Sequence, residues 1–178
     1  MIKFNVAYIK LCTKTEGPFK RCCIWFQGCN LHCKGCCNVE LQPLIPKHIV
    51  TLKELLSIVK DAKEQFDIEG ITLSGGEPSL QNGLIEFNEE IHKLNLGIIM
   101  FSGKDKNLLN SDLVNSVDLL IDGPFIDTKL DANRILLGST NKNLTFVTNR
   151  YLNEKDYFDN PVSVEEVTAE DFLFINGD

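Results

Sequence analysis

Residues 21–38 read RCCIWFQGCNLHCKGCCN, and six of the chain's seven cysteines lie there: Cys22, Cys23, Cys29, Cys33, Cys36 and Cys37. Three of them, Cys29, Cys33 and Cys36, are spaced C-x3-C-x2-C. Thiolates this close in a short loop are metal ligands more often than disulfide partners. A soft set of this kind selects zinc, copper(I) or an iron–sulfur cluster. Structural zinc wants four ligands, usually two close pairs with a longer spacer. No cysteine follows Cys37, so zinc would have to recruit Cys22, Cys23, His32 or Cys37 from the same loop, which strains the geometry. A [4Fe–4S] cube normally takes four cysteines. Three ligands leave one iron open to an outside molecule, which favours a radical-generating cofactor site over an electron carrier. Cys12, Cys22, Cys23 and Cys37 read as small apolar residues with no assigned role.

Working outward, CIWFQ (23–27) is a short apolar run that predicts a buried strand feeding the cysteine loop. IKFNVAYI (2–9) predicts an earlier strand, joined to it by the turn-rich segment Thr15-Glu16-Gly17-Pro18-Phe19-Lys20. Gly28 and Gly35 let the backbone pass close to a bulky cofactor. Beyond Pro43 and Pro46, Thr51-x-x-Glu54 is a capping box opening a helix. Leu52, Leu55, Leu56, Val59, Ala62 and Phe66 share its predicted core face. Gly70 closes the segment, and ITLS (71–74) predicts a strand.

Directly after that strand comes Ser74-Gly75-Gly76-Glu77-Pro78. Paired glycines at a strand end are expected to leave backbone amides and carbonyls open to a ligand. Glu77 reads either as a cofactor neighbour or as an acid favoured at a helix start. Leu84, Phe87, Ile91 and Leu94 mark another helix, and LGIIMFSG (96–103) a strand with its exit loop. Leu108 to Val117 suggests one helix or two short ones, and VDLLID (117–122) a further buried strand. Strands alternating with helices predict a parallel α/β sheet with right-handed crossovers. Gly28–Cys36, Ser74–Glu77, Ser102–Lys104 and Asp122–Gly123 all fall at C-terminal strand ends, where such sheets gather their ligands.

The 178-residue length suggests one principal domain, and 43% hydrophobic residues supply an ordinary core. The expected organisation is a core domain over 1–150 and a C-terminal extension over 151–178. Its apolar runs VSVEEV and FLFI suggest a hairpin packed on the core. A formal net charge of −7 with no basic stripe argues against nucleic-acid binding. The N-terminus MIKFNVAYIKLC lacks the long apolar run and small-residue cleavage site expected of a signal peptide, and no apolar run approaches the ~20 residues that span a bilayer. Cysteine-rich composition without an export signal points to the cytoplasm.

The segment DGPFIDTKLDANRILLGSTNKNL (122–144) has too many turn residues for a helix and too many apolar ones for a disordered tail. A long ordered loop in a compact domain is usually functional. Together, C-x3-C-x2-C and GGEP resemble the signatures of the radical S-adenosylmethionine (SAM) enzymes. With Gly17-Pro18-Phe19-Lys20-Arg21, DGPF and R-x3-GS-x-N, the chain resembles the activating proteins of anaerobic ribonucleotide reductase from about Gly17 to Asn141. It departs at Cys37, where an aromatic residue or histidine is common, and at Lys142 and Asn143, where glutamine and arginine are expected.

The resemblance implies a shortened, incomplete (β/α) barrel. It implies a [4Fe–4S] cluster held by Cys29, Cys33 and Cys36, with SAM on the fourth iron. Ser74, Gly75, Gly76 and Glu77 would contact the methionine end of SAM. Asp122 would lie near the ribose or amino group, or would simply cap a turn. Arg134 and Ser139–Asn141 would line either the partner surface or the SAM pocket. The implied reaction is reductive cleavage of SAM to a 5′-deoxyadenosyl radical, which takes a hydrogen atom from a glycine Cα of the partner reductase. A flavodoxin or ferredoxin would donate the electron. Two other readings stay open: radical SAM chemistry on a small molecule or peptide, and a non-catalytic iron–sulfur or zinc module.

Overall fold

The computed structural model describes residues 1–159 and 172–173. The strands are β1 (Lys3–Thr13), β2 (Arg21–Phe26), β3 (His48–Thr51), β4 (Gly70–Gly75), β5 (Gly97–Phe101), β6 (Leu119–Asp122), β7 (Asn143–Phe146) and β8 (Phe172–Leu173). The helices are α1 (Leu52–Phe66), α2 (Leu84–Lys93), α3 (Ser111–Asn115) and α4 (Lys155–Asp159). They form one mixed sheet in the order β3-β1-β2-β4-β5-β6-β7, with β8 pairing β1 beyond β3.

The four central strands, β2, β4, β5 and β6, are parallel, as their intervening helices require. The flanking strands β1, β3 and β7 pair antiparallel, so the expected parallel sheet forms the centre of a mixed one. The link between β1 and β2 is too short for a crossover, so these strands meet as a hairpin. Neither β3 nor β7 was expected as a strand. Both are short and partly exposed, so neither carries a long apolar run.

Alternation along β5 and β6 divides the core. Ile98, Met100 and Leu120 join a cluster with Leu55, Val59, Phe87 and Ile91 of α1 and α2. Ile99, Leu119 and Ile121 face the other way, onto Leu137, Tyr151 and Phe158. Helices therefore cover one face, and the late-chain segments cover part of the other. The capping box at Thr51 is present: Glu54 N donates to Thr51 Oγ1 at 3.3 Å and Thr51 N to Glu54 Oε2 at 2.8 Å. Phe66, expected in the core, ends α1 at 38% exposure, because α1 stops there with Asp67 in the left-handed region. The expected hairpin of VSVEEV and FLFI falls mostly outside the described residues. Among the described residues no helix is long and apolar enough to cross a membrane.

Candidate functional site

The C-terminal ends of β2, β4 and β5 and the loop after β6 enclose a cavity of about 570 Å³, a size suited to a small-molecule site. Cys29, Cys33 and Cys36 line it, together with Ser74 and Gly75 at the end of β4, Gly76 just past it, and Ser102 and Gly103 just past β5. The long loop adds Phe125, Leu130, Arg134 and Leu136–Gly138. Residues dispersed along the chain therefore meet at one end of the sheet.

The cysteine loop is anchored at its root. Gly28 N donates to Leu41 O at 2.8 Å and Cys29 N to Gln42 O at 2.9 Å. Inside the loop, Cys36 N donates to Cys33 O at 3.3 Å, and Asn38 N points at Cys36 Sγ at 3.4 Å. Burial pushes the Cys29 thiol up, and the backbone N–H groups of Leu31 and His32 oppose it by favouring the thiolate.

The glycine turn is arranged differently from expectation. Its amides are taken up: Gly76 N donates to Phe26 O at 2.8 Å and Glu77 N to Gly28 O at 2.9 Å. The Gly75 carbonyl accepts from Asn38 Nδ2 at 3.2 Å. The cause is the parallel register, which pairs Phe26 with Gly75 and simply runs on past the strand ends. A Cβ on Gly76 would lie 2.2 Å from Gly28 O, and Gly75 sits at φ +103°. These glycines permit the backbone of the cysteine loop to approach, and so clamp the two motifs together.

Glu77 is fully buried but does not line the cavity. Its carboxylate accepts from Ser102 Oγ at 2.9 Å, Gly103 N at 2.9 Å and Ser79 N at 3.1 Å. It braces the exit of β4 against the exit of β5. Asp122 also lies off the cavity wall. It accepts from Lys106 N at 3.0 Å and Thr145 Oγ1 at 3.1 Å, contacts that match its capping reading.

The loop after β6 is tied by its own polar groups. Arg134 Nε donates to Asp131 Oδ2 at 2.6 Å and its Nη2 to Thr140 O at 3.0 Å. Ser139 is buried and accepts from Ile126 N, and Asn141 Nδ2 donates to Pro124 O at 2.8 Å. Arg134 thus reaches the cavity wall, while Ser139 and Asn141 hold the loop's shape. The Phe125 ring lies between Gly35 and Gly138: a Cβ on either would meet it at 3.4 Å. That contact joins DGPF, the cysteine loop and the GSTN segment in one wall.

Comparison with known proteins gives the same centre of gravity. A family model, 4Fe-4S single cluster domain, matches residues 15–145. The chain belongs to the 4Fe–4S single cluster domain family. Relatives include the anaerobic ribonucleoside-triphosphate reductase-activating protein of Vibrio cholerae serotype O1, 28% identical over 136 residues, 71% of this chain and 88% of that protein. The protein of that name in Salmonella typhi is 30% identical over the same shares. The pyruvate formate-lyase-activating enzyme of Staphylococcus aureus is 33% identical over 89 residues, 48% of this chain and 36% of that enzyme. Among solved structures, QueE from Escherichia coli aligns over 66% of this chain and 68% of its own at 11% identity, with a TM-score of 0.46. The resemblance to radical SAM activating enzymes is shown, and with it an enzyme whose cofactors are a [4Fe–4S] cluster and SAM.

The residues present in this single-cluster domain fit that cofactor. Cys29, Cys33 and Cys36 line one cavity, and a set of three thiolates is the soft donor chemistry that iron–sulfur clusters take. Sequence reasoning missed four wall or brace residues. Cys37 and Lys142 line the cavity, and their departure from the family pattern was the available signal. Phe125 carried a signal as part of DGPF. Asn38 carried none, since its role depends on Gly75, far away in sequence.

Proposed function

We propose that this protein is a glycyl-radical activase that removes a hydrogen atom from a glycine Cα of an anaerobic ribonucleotide reductase. Cys29, Cys33 and Cys36 would hold the cluster, and Ser74, Gly75 and Gly76 would face the methionine end of SAM. The observation that carries this reading is the meeting of those three thiols and the glycine turn on one cavity. Relatives named as activating proteins for that reductase, matched over 71% of this chain, support it.

When bound, the cluster and SAM supply an electron and, from it, a 5′-deoxyadenosyl radical and methionine. The protein's own work is placement. Glu77 acts through its brace, and Asp122 through the loops that it caps. Leu31, Phe125, Leu136 and Leu137 give the cavity an apolar wall, which limits water around a reactive radical. With SAM bound there, the chemistry it would supply is removal of a hydrogen atom from the partner's glycine Cα to the 5′ carbon, so that 5′-deoxyadenosine would form and the unpaired electron would rest on that glycine. A flavodoxin or ferredoxin supplies the reducing electron.

The test is anaerobic reconstitution with iron and sulfide, reduction in the presence of SAM, and chromatographic scoring of 5′-deoxyadenosine. Product is expected from the wild type and absent from Cys29→Ala, Cys33→Ala and Cys36→Ala. Adding an anaerobic ribonucleotide reductase should give the doublet of a glycyl radical by electron paramagnetic resonance (EPR). Product without that doublet, and with it only on another glycyl-radical enzyme, would move the substrate and keep the chemistry.

A further inference from the structure

Lys142 lies just past GSTN, at a position where the chain departs from the activating-protein pattern. Its backbone is held on both sides: Lys142 N donates to Ser139 O at 3.1 Å, and Lys142 O accepts from Arg134 Nη1 at 3.3 Å. It lines the cavity that Cys33, Cys36 and Cys37 also line, and Cys33 and Cys37 act on its charge. The neighbouring cations are engaged elsewhere: Arg134 with Asp131, Lys34 with Asp127, and Lys104 with Ser79. Among the described residues the Lys142 ammonium makes no hydrogen bond or ion pair. Burial lowers its pKa, while Cys33, Glu77, Cys37 and Asp122, the acidic groups that face it, act to raise it.

We propose that Lys142 sets the reduction potential of the cluster, holding it higher than the three thiolates alone would. This inference rests on the cysteine assignment above. Reduction adds one electron, and so one negative charge, to a cavity that already carries three thiolates. A fixed cation in a partly desolvated wall stabilises the reduced form more than the oxidised one. Net charge near the cluster is one of the levers a protein has on its potential. Lys142 is not a ligand, and it acts through the field that it adds.

The experiment is a potentiometric titration of the reconstituted full chain without SAM, reading the EPR signal of the reduced cluster. Lys142→Met is expected to disfavour reduction about tenfold, a midpoint about 59 mV lower for a one-electron couple. Lys142→Arg should stay with the wild type. A Lys142→Met midpoint equal to the wild type's overturns the proposal. If that variant takes up less than a full complement of iron, Lys142→Gln is titrated instead, and an unchanged midpoint there overturns it equally. A wild type that holds no four-iron cluster would sink the cysteine assignment itself, which is a different result from a loaded cluster indifferent to Lys142.

Discussion

Ser102 Oγ donates to the buried Glu77 carboxylate at 2.9 Å, tying together the exits of two neighbouring parallel strands. The same carboxylate holds Gly103 N and Ser79 N, so one side chain sets the floor on which the cavity is built. Glu77→Ala would leave three donors without their acceptor. Each unsatisfied buried group costs about 1–3 kcal/mol, so a loss of ~3 kcal/mol is expected in urea unfolding of the apo chain. A loss below about 0.5 kcal/mol, the range of ordinary surface substitutions, would show that the brace is not structural.

Gly76 is the tightest point between the two motifs, with its would-be Cβ at 2.2 Å from Gly28 O. Backbone cannot move aside as a side-chain tip can. Gly76→Ala should separate the glycine turn from the cysteine loop, at a cost of about 1–3 kcal/mol typical of overpacking. Iron content after reconstitution should fall with it. Full iron incorporation and unchanged stability would contradict the clamp.

Cys22 gives the fold a pH dependence. Burial, and then Cys12, push its thiol from 9.0 up to about 12, against the Arg21 guanidinium. The folded chain therefore holds this proton more tightly than the unfolded chain. Its contribution to stability is whole below pH 9 and is lost as pH rises toward 12, by about 1.4 kcal/mol per pH unit. Cys23, raised mainly by its burial, acts in the same sense. Cys22→Ala should flatten the fall of apo-chain unfolding free energy with pH above 9. A slope identical to the wild type's would refute the assignment.

Tyr151 tests the opposite end of the sheet. Its hydroxyl donates to Glu69 Oε2 at 2.7 Å and accepts from Arg21 Nη1 at 2.9 Å, under the starts of β2, β4 and β5. Arg21 is fully buried and Glu69 partly so, and they pair at 3.0 Å. Tyr151→Phe removes two hydrogen bonds but leaves that pair, so a cost of about 1–2 kcal/mol is expected. Iron uptake and SAM cleavage should be unchanged, since the cavity lies at the other strand ends. Loss of cluster binding in a folded Tyr151→Phe protein would mean that the two ends are coupled.

Much of this arrangement was legible along the chain. The capping box at Thr51, the apolar runs of β2, β4, β5 and β6, and the placing of four loops at their C-terminal ends all depend on residues close in sequence. What was not legible had distant causes. The amides of Gly76 and Glu77 were expected to be open, yet the exit of β2 occupies them. Phe66 fits the apolar period of α1, but period alone does not say where a helix outruns its core. The short edge strands β3 and β7 have little apolar signal because solvent covers part of them.

The sequence by itself determined that three soft thiolates stand close together, because the C-x3-C-x2-C spacing is a property of residues a few positions apart. It also determined which strand ends would share a site, through the alternation of strand and helix. Only the tertiary structure decided what each motif does there. The glycines serve a close backbone approach, Glu77 braces two strand exits, Phe125 packs between Gly35 and Gly138, and Lys142 lines the same cavity as the thiols. Those roles belong to contacts between segments that meet only when the sheet forms, and spacing along the chain holds no record of the distance between them.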